Sequence, residues 1–234
     1  MDTAFVIGNG ESRNIFPIET LKGQGVIYGC NAIYRDNPDL CDRIVCVSEE
    51  MSEELTTAKA QDKFTADIIG PDQLSEWNYV LEGDDPSTVP EGLKLYRVWH
   101  GGDIKSGKYK RRDFSETRGS GCSAVLHAAE DGYKDIVILG FDILGARQWE
   151  MPTGEASRHQ NNIYKETVNY PYRYSMKAYM KYEWLYHLTQ TFRRFSDTNF
   201  YFINRSEYIN LNPYLIPYFR YAPGNIRTGI YADL

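Results

Sequence analysis

The stretch from Gly119 to Asp142, GSGCSAVLHAAEDGYKDIVILGFD, decides the fold. From about Cys122 to Asp131 it reads as a helix. Ala124, Val125, Ala128 and Ala129 fall on one face, and they are small enough for close packing. Gly132 stands where a helix end favours glycine. Asp135–Gly140 (DIVILG) is then a nearly continuous apolar run, the pattern of a parallel strand covered on both faces. A helix feeding such a strand through a short turn is the second half of a βαβ unit.

Further strands follow outward from this unit. Ala4–Gly8 (AFVIG), Val26–Cys30 (VIYGC), Arg43–Ser48 (RIVCVS), Ala66–Gly70 and Lys94–His100 precede it, and Asn199–Ile203 (NFYFI) follows. Ser48 is placed to cap a helix from Glu49 to Lys59, and Ser175 another to about Phe192. Met176, Met180, Trp184 and Leu188 form the apolar stripe of that last helix. The polar stretch 75–92, with Asp84, Asp85, Pro86 and Pro90, reads as a surface loop. Leu144 to Tyr174 has no clear period, and so long a connection is expected to be a lid or binding loop. The Tyr- and Pro-rich tail from Asn210 is expected to wrap the surface. The expectation is one α/β domain over 1–234. It has a Rossmann-like, mostly parallel sheet, helices on both faces, and a lid over 144–174.

The bulk properties narrow the function classes. With 234 residues, 42% hydrophobic and 25% charged, the chain is long enough to bury a sizeable core. No apolar run approaches the roughly 18 residues of a membrane span. Met1 to Ile7 reads as a first strand rather than a signal peptide. Cys30, Cys41, Cys46 and Cys122 form no CxxC pair and have no histidine at metal-ligand spacing. They read as reduced, buried thiols of a cytoplasmic protein. The net charge of −6 is unevenly spread. Residues 36–91 carry 15 acidic and 3 basic side chains, and residues 92–234 carry 14 and 20. Such asymmetry suits either a polyanion-facing side or two solvated faces.

Candidate chemistry collects at strand ends, where open α/β sheets bind ligands. Gly8-Asn9-Gly10 follows the first strand. Its N–H groups and the Asn9 amide are suited to phosphate or ribose. Arg13 stands where a dinucleotide fingerprint would carry its third glycine. Asn31 ends the second strand with an amide able to read a base or sugar edge. Ser48-Glu49 ends the third. Thr117-Arg118-Gly119-Ser120-Gly121 opens a helix, a ready anion site to which Arg118 adds charge. Asp142 lies at the end of the DIVILG strand, where a carboxylate can face the cleft as a base. His159, in the candidate lid, and His187, on the late helix, are the alternative bases, although His187 lies beside the apolar stripe and also reads as core. Lys105, Lys108, Lys110, Arg111 and Arg112 make a basic loop that suits either solvent or a phosphate backbone. The interval 164–231 holds 13 of the 19 tyrosines, interleaved with basic residues, a mixture suited to stacking on bases or sugars. No P-loop, Ser-His-Asp pattern or DxD metal motif is present.

Taken together, VIGNGES, YGCNAIYRD and GSGCSAVLHAAEDGYKDIVILGFDI resemble bacterial sialyltransferases of the Campylobacter lipooligosaccharide type, a family with related reading frames in tailed phages. The resemblance spans three blocks in the family's order and spacing. It implies a Rossmann-like domain with a lid, a variant of the GT-A glycosyltransferase arrangement. It also implies a UDP- or CMP-sugar donor, no metal, and transfer with inversion. By resemblance Gly8, Asn9 and Gly10 meet the donor phosphate and ribose, Asn31 meets the nucleotide, and Ser120 and Gly121 line the donor pocket. The tyrosines of Leu144–Tyr174 would close on the phosphate.

Two departures matter. Glu11 replaces the family's proline, and Tyr170–Ser175 lacks the histidine base that the family carries before its late helix. Asp142, His159 or another acidic residue would have to serve as base, while Tyr172 and Arg173 neutralise the leaving phosphate. The acceptor expected is a hydroxymethylated pyrimidine in double-stranded phage DNA. The alternatives are a surface glycan, or no acceptor at all in a non-catalytic nucleotide- or glycan-binding protein.

Overall fold

The computed structural model describes residues 2–71, 93–96, 119–143, 162–170, 180–205 and 225–234. Eight strands form one sheet: β1 (Thr3–Ile7), β2 (Val26–Cys30), β3 (Arg43–Val45), β4 (Asp67–Pro71), β5 (Leu93–Tyr96), β6 (Asp135–Leu139), β7 (Asn199–Asn204) and β8 (Ile226–Ile230). Their order is β5-β4-β3-β2-β1-β6-β7-β8, and every pair is parallel. The chain therefore builds outward from β1 to β5, then returns to the other side of β1 with β6. That reversal places the topological switch point between β1 and β6.

Parallel pairing explains why the strands read as apolar runs. In β1, Ala4 and Val6 face one layer while Phe5 and Ile7 face the other, and all four are buried. The first layer holds the helices α2 (Ser120–Glu130) and α3 (Met180–Arg194), through Val125, Ala128, Leu185, Leu188 and Phe192. The second holds α1 (Glu49–Ala60), through Met51, Leu55 and Ala58, with 3-10 turns after β1 and β2. The expected Rossmann-like α/β sheet with helices on both faces is thus present.

Local signals explain the helix ends. The Ser48 side chain accepts the Met51 N–H at 3.3 Å and starts α1. The strand β3 ends at Val45, shorter than its apolar pattern suggests. At the other end of α2, Gly132 takes φ +88°. The largest difference from expectation is in the tail. Ile226–Ile230 (IRTGI) joins the sheet as edge strand β8, and its half-exposed residues carry no strong apolar alternation to announce it. The described part of the candidate lid, residues 162–170, is also not structureless. It is a tight run of turns with Glu166 and Asn169 at positive φ.

Candidate functional site

The ends of β1, β2, β3 and β6 and the start of α2 enclose a cavity of about 320 Å³ at the switch point. That is the size and place expected for a small-molecule site. It is lined by Gly8, Asn9 and Gly10; by Cys30 and Asn31; by Val47, Ser48 and Met51; by Gly119 to Cys122; and by Gly140 to Ile143. Asn162, Asn169, Tyr170 and Trp184 complete the wall.

The Gly-Asn-Gly loop is built differently from its sequence reading. The Gly8 and Gly10 N–H groups donate to the carbonyls of Leu139 and Gly140, both at 2.8 Å, so they serve the sheet rather than an anion. The glycines are there because the two chain segments touch. A Cβ on Gly10 would lie 2.5 Å from the Asp142 Cγ and the Gly140 carbonyl oxygen. What the loop offers a ligand is Asn9. Its Nδ2 lies 3.4 Å from the Tyr170 hydroxyl, and its buried Oδ1 has no partner among the described residues.

Asn31 sits at φ 51°, a conformation asparagine tolerates better than most residues. Its Oδ1 accepts the Ser120 hydroxyl at 2.7 Å, which joins the end of β2 to the first residue of α2. Gly119, the N-cap of α2, makes no side-chain cap bond, and the helix start lines the cavity. Such an end favours an anion. Gly119 and Gly121 again serve packing. A Cβ would meet the Trp184 indole at 2.9 Å in one case and the Phe141 ring at 3.0 Å in the other.

Asp142 lines the cavity, yet both its oxygens accept protein donors. The Ser12 N–H reaches Oδ2 at 2.9 Å, and the Asn204 amide reaches Oδ1 at 3.1 Å. The carboxylate thus clamps the turn after β1 to the ends of β6 and β7. Tyr231 supports the same corner from the last turn of the chain. Its hydroxyl accepts the Gly140 N–H at 3.1 Å and pairs with the Ser12 hydroxyl at 3.2 Å. Burial pushes the Tyr231 phenol up to about 12, so it holds its proton.

Residues 162–170 clasp the cavity from outside. The Ile163 N–H donates to the Asn9 carbonyl at 2.9 Å. The Tyr164 hydroxyl accepts Arg13 Nη2 at 2.8 Å and donates to Asp36. Arg13 is 2% exposed and also pairs with Asp36 at 3.0 Å. Arg35 donates to Thr167 Oγ1 at 2.7 Å and to the Val168 carbonyl at 3.0 Å, while Asn169 Nδ2 donates to Glu54 at 2.7 Å. Burial pushes the Tyr170 phenol well above its usual range, against the opposing effect of a hydrogen bond donated by the Asn31 amide. The Cys30 thiol, 2% exposed at the cavity wall, is likewise pushed up by burial and stays protonated, which makes it a poor nucleophile.

The structure therefore brings Gly8, Asn9, Gly10, Asn31, Ser48, Ser120, Gly121 and Asp142 to one cavity. His187 is fully buried on α3 and is not among the lining residues. Arg118, His159, Tyr172, Arg173 and the basic loop of Lys105, Lys108, Lys110, Arg111 and Arg112 lie outside the described residues. Sequence reasoning missed the individual roles of Asn162, Asn169 and Tyr170 in the wall, and the buried Arg13. The Asn-Asn pair at 161–162 and Asn169-Tyr170, inside an aperiodic stretch, were the signal available. Among the described residues no three His, Cys, Asp or Glu side chains converge as a metal site, and no helix is long and apolar enough to cross a membrane.

An open parallel sheet with a cavity at its switch point is the arrangement in which doubly wound α/β folds hold their ligands. Sequence comparison finds no matching family model and no matching curated protein. Among solved structures, the chain is similar to the apo α-2,3-sialyltransferase of Campylobacter jejuni. The TM-score is 0.51 and the identity 16%, over 86% of this chain and 75% of that one. It is also similar to the sialyltransferase CstII of Campylobacter jejuni in complex with the substrate analogue CMP-3FNeuAc. There the TM-score is 0.50 and the identity 16%, over 86% and 81% of the two chains. At this identity the likeness is one of fold.

Proposed function

We propose that this chain is a nucleotide-sugar-dependent glycosyltransferase whose donor occupies the switch-point cavity. The observation that carries the reading is the lining itself. Asn9, Asn31, Asn162 and Asn169 surround a space walled by Met51, Phe141, Tyr170 and Trp184. Carboxamides suit ribose and sugar hydroxyls and base edges, and aromatic walls suit flat rings. The uncapped start of α2 meets the donor phosphate. The solved relative that shares this fold was captured with CMP-3FNeuAc, a nucleotide-sugar analogue, which supports the same ligand class here.

In the proposed reaction an acceptor hydroxyl attacks the anomeric carbon of the donor. The new glycosidic C–O bond forms as the bond to the nucleotide phosphate breaks, and the configuration inverts. The acceptor proton passes to a base. Asp142 is committed to Ser12 and Asn204, which favours a base outside the described residues, with His159 the first candidate. Helix-start N–H groups, supplemented by Arg173 and Tyr172, would carry the leaving phosphate without a metal, so activity should survive EDTA. The DNA acceptor rests on the basic loop of residues 105–112 and on the overall charge asymmetry. The glycan acceptor rests on the fold.

The test is a panel of UDP-, CMP- and GDP-sugars, scored by thermal stabilisation and donor hydrolysis. A ligand that binds only the folded state raises the melting temperature by mass action. Stabilisation and turnover by one donor are expected. Binding without turnover of any donor would replace the enzyme with a non-catalytic binding protein.

A further inference from the structure

Two of the cavity's carboxamides have their orientation set by partners that allow no alternative. Asn162 uses its Oδ1 to accept the Tyr164 backbone N–H at 2.9 Å, a group that can only donate. Asn169 uses its Nδ2 to donate to Glu54 Oε2 at 2.7 Å and to the Glu50 carbonyl at 3.4 Å, groups that only accept. Glu54 is itself held by Arg35 at 2.8 and 2.7 Å and by the Tyr34 hydroxyl at 2.7 Å, so it stays ionised and fixed. Both asparagines line the cavity. The end of each amide that its anchor leaves free is therefore determined. It is the NH2 of Asn162 and the carbonyl of Asn169.

We infer that residues 162–170 select the ligand through one fixed donor, Asn162, and one fixed acceptor, Asn169, and that Glu54 is the positioning residue that sets the second. The inference rests on the nucleotide-sugar reading and specifies its chemistry. The ligand presents an acceptor, such as a carbonyl or ring or phosphate oxygen, to Asn162. It presents a hydroxyl or amine to Asn169. An ordinary amide at a cavity wall rotates to suit either kind of group. These two do not, because rotating either would set like against like at its anchor.

The experiment measures binding of CMP, UMP, AMP and GMP by calorimetry, with thermal melts to monitor folding. Asn162→Asp keeps an oxygen for the Tyr164 N–H but replaces the free donor with an acceptor. A purely structural Asn162 predicts unchanged affinity, whereas the inference predicts at least a tenfold loss at a retained melting temperature. Asn169→Asp sets a carboxylate against Glu54 and should weaken binding. Adding Glu54→Gln supplies an amide N–H to that carboxylate and should restore affinity to within about threefold. Tight binding by Asn162→Asp, or no recovery in the Asn169→Asp/Glu54→Gln double variant, overturns the inference while leaving the nucleotide reading intact. Wild-type protein that binds none of the four nucleotides overturns both.

Discussion

The Ser120 hydroxyl donates to Asn31 Oδ1 across 2.7 Å, although the two residues are 89 positions apart in sequence. One directly follows the strand β2 and the other begins the helix α2. Their bond fixes the width of the cavity between β2 and α2. The carboxamide does this from a left-handed backbone, φ 51°, which only a few residue types adopt cheaply.

Asn31→Gly keeps that backbone and removes the amide, so it isolates the side chain's part in binding. Nucleotide affinity should fall by about 1–2 kcal/mol, the scale of one hydrogen bond in a polar site. Asn31→Ala should bind as weakly and also melt lower, because alanine is strained at this φ. Calorimetric titration beside thermal melts separates the two effects. Unchanged affinity in Asn31→Gly would remove the residue from the site.

Gly10→Ala tests why the loop is glycine-rich. The added methyl would press on Asp142 and the Gly140 carbonyl at 2.5 Å, in a corner already fixed by Ser12 and Tyr231. A destabilisation of about 1–3 kcal/mol by urea unfolding is expected, as for overpacking a core. If the glycines served only a ligand, the unfolding midpoint would stay put and affinity alone would drop.

These two residues also mark how far the sequence could be read. Parallel strands buried on both faces leave apolar runs, and Ser48 and Gly132 punctuate helices. The sheet and most of its elements were therefore legible, and so was the gathering of Asn31, Ser120 and Asp142 at one edge. What a residue does there depends on partners far away in the chain. The Gly8 and Gly10 N–H groups point at Leu139 and Gly140 rather than at a ligand, and no local pattern records that. Residues 162–170 have no period because turns and long-range side-chain bonds hold them. The last strand, IRTGI, is an edge with little apolar surface to reveal it.

Glu54 makes the clasp sensitive to acid. Burial raises its pKa, but hydrogen bonds from Arg35, Tyr34 and Asn169 outweigh this and hold it below the ordinary value of 4.5. A carboxyl whose folded pKa is depressed contributes stability that is complete above its unfolded pKa. That contribution is lost as pH falls through the folded one. Wild-type stability should therefore drop more steeply below pH 4.5 than that of Glu54→Gln, while the variant is less stable near neutrality. Chemical denaturation across pH 3 to 7 measures both. Parallel curves would mean that Glu54 titrates alike in the folded and unfolded chains.

Asp142 poses the sharpest choice, between clamp and catalytic base. As a clamp, it needs only an acceptor for the Ser12 N–H and an acceptor for the Asn204 amide. Asp142→Asn sets an NH2 against one of these donors and should lower both stability and activity, which either role predicts. The reciprocal change decides. In Asp142→Asn with Asn204→Asp, the amide and the carboxylate exchange places. The hydrogen bond between the segment after β6 and the end of β7 re-forms with its direction reversed, and the amide oxygen is left for Ser12, while the Asn204 donation to the Phe141 carbonyl is lost. A clamp predicts that this pair recovers part of the lost melting temperature, and donor turnover in proportion to it. A base predicts recovered stability with turnover still abolished, because no carboxylate then stands at position 142 to take the acceptor's proton.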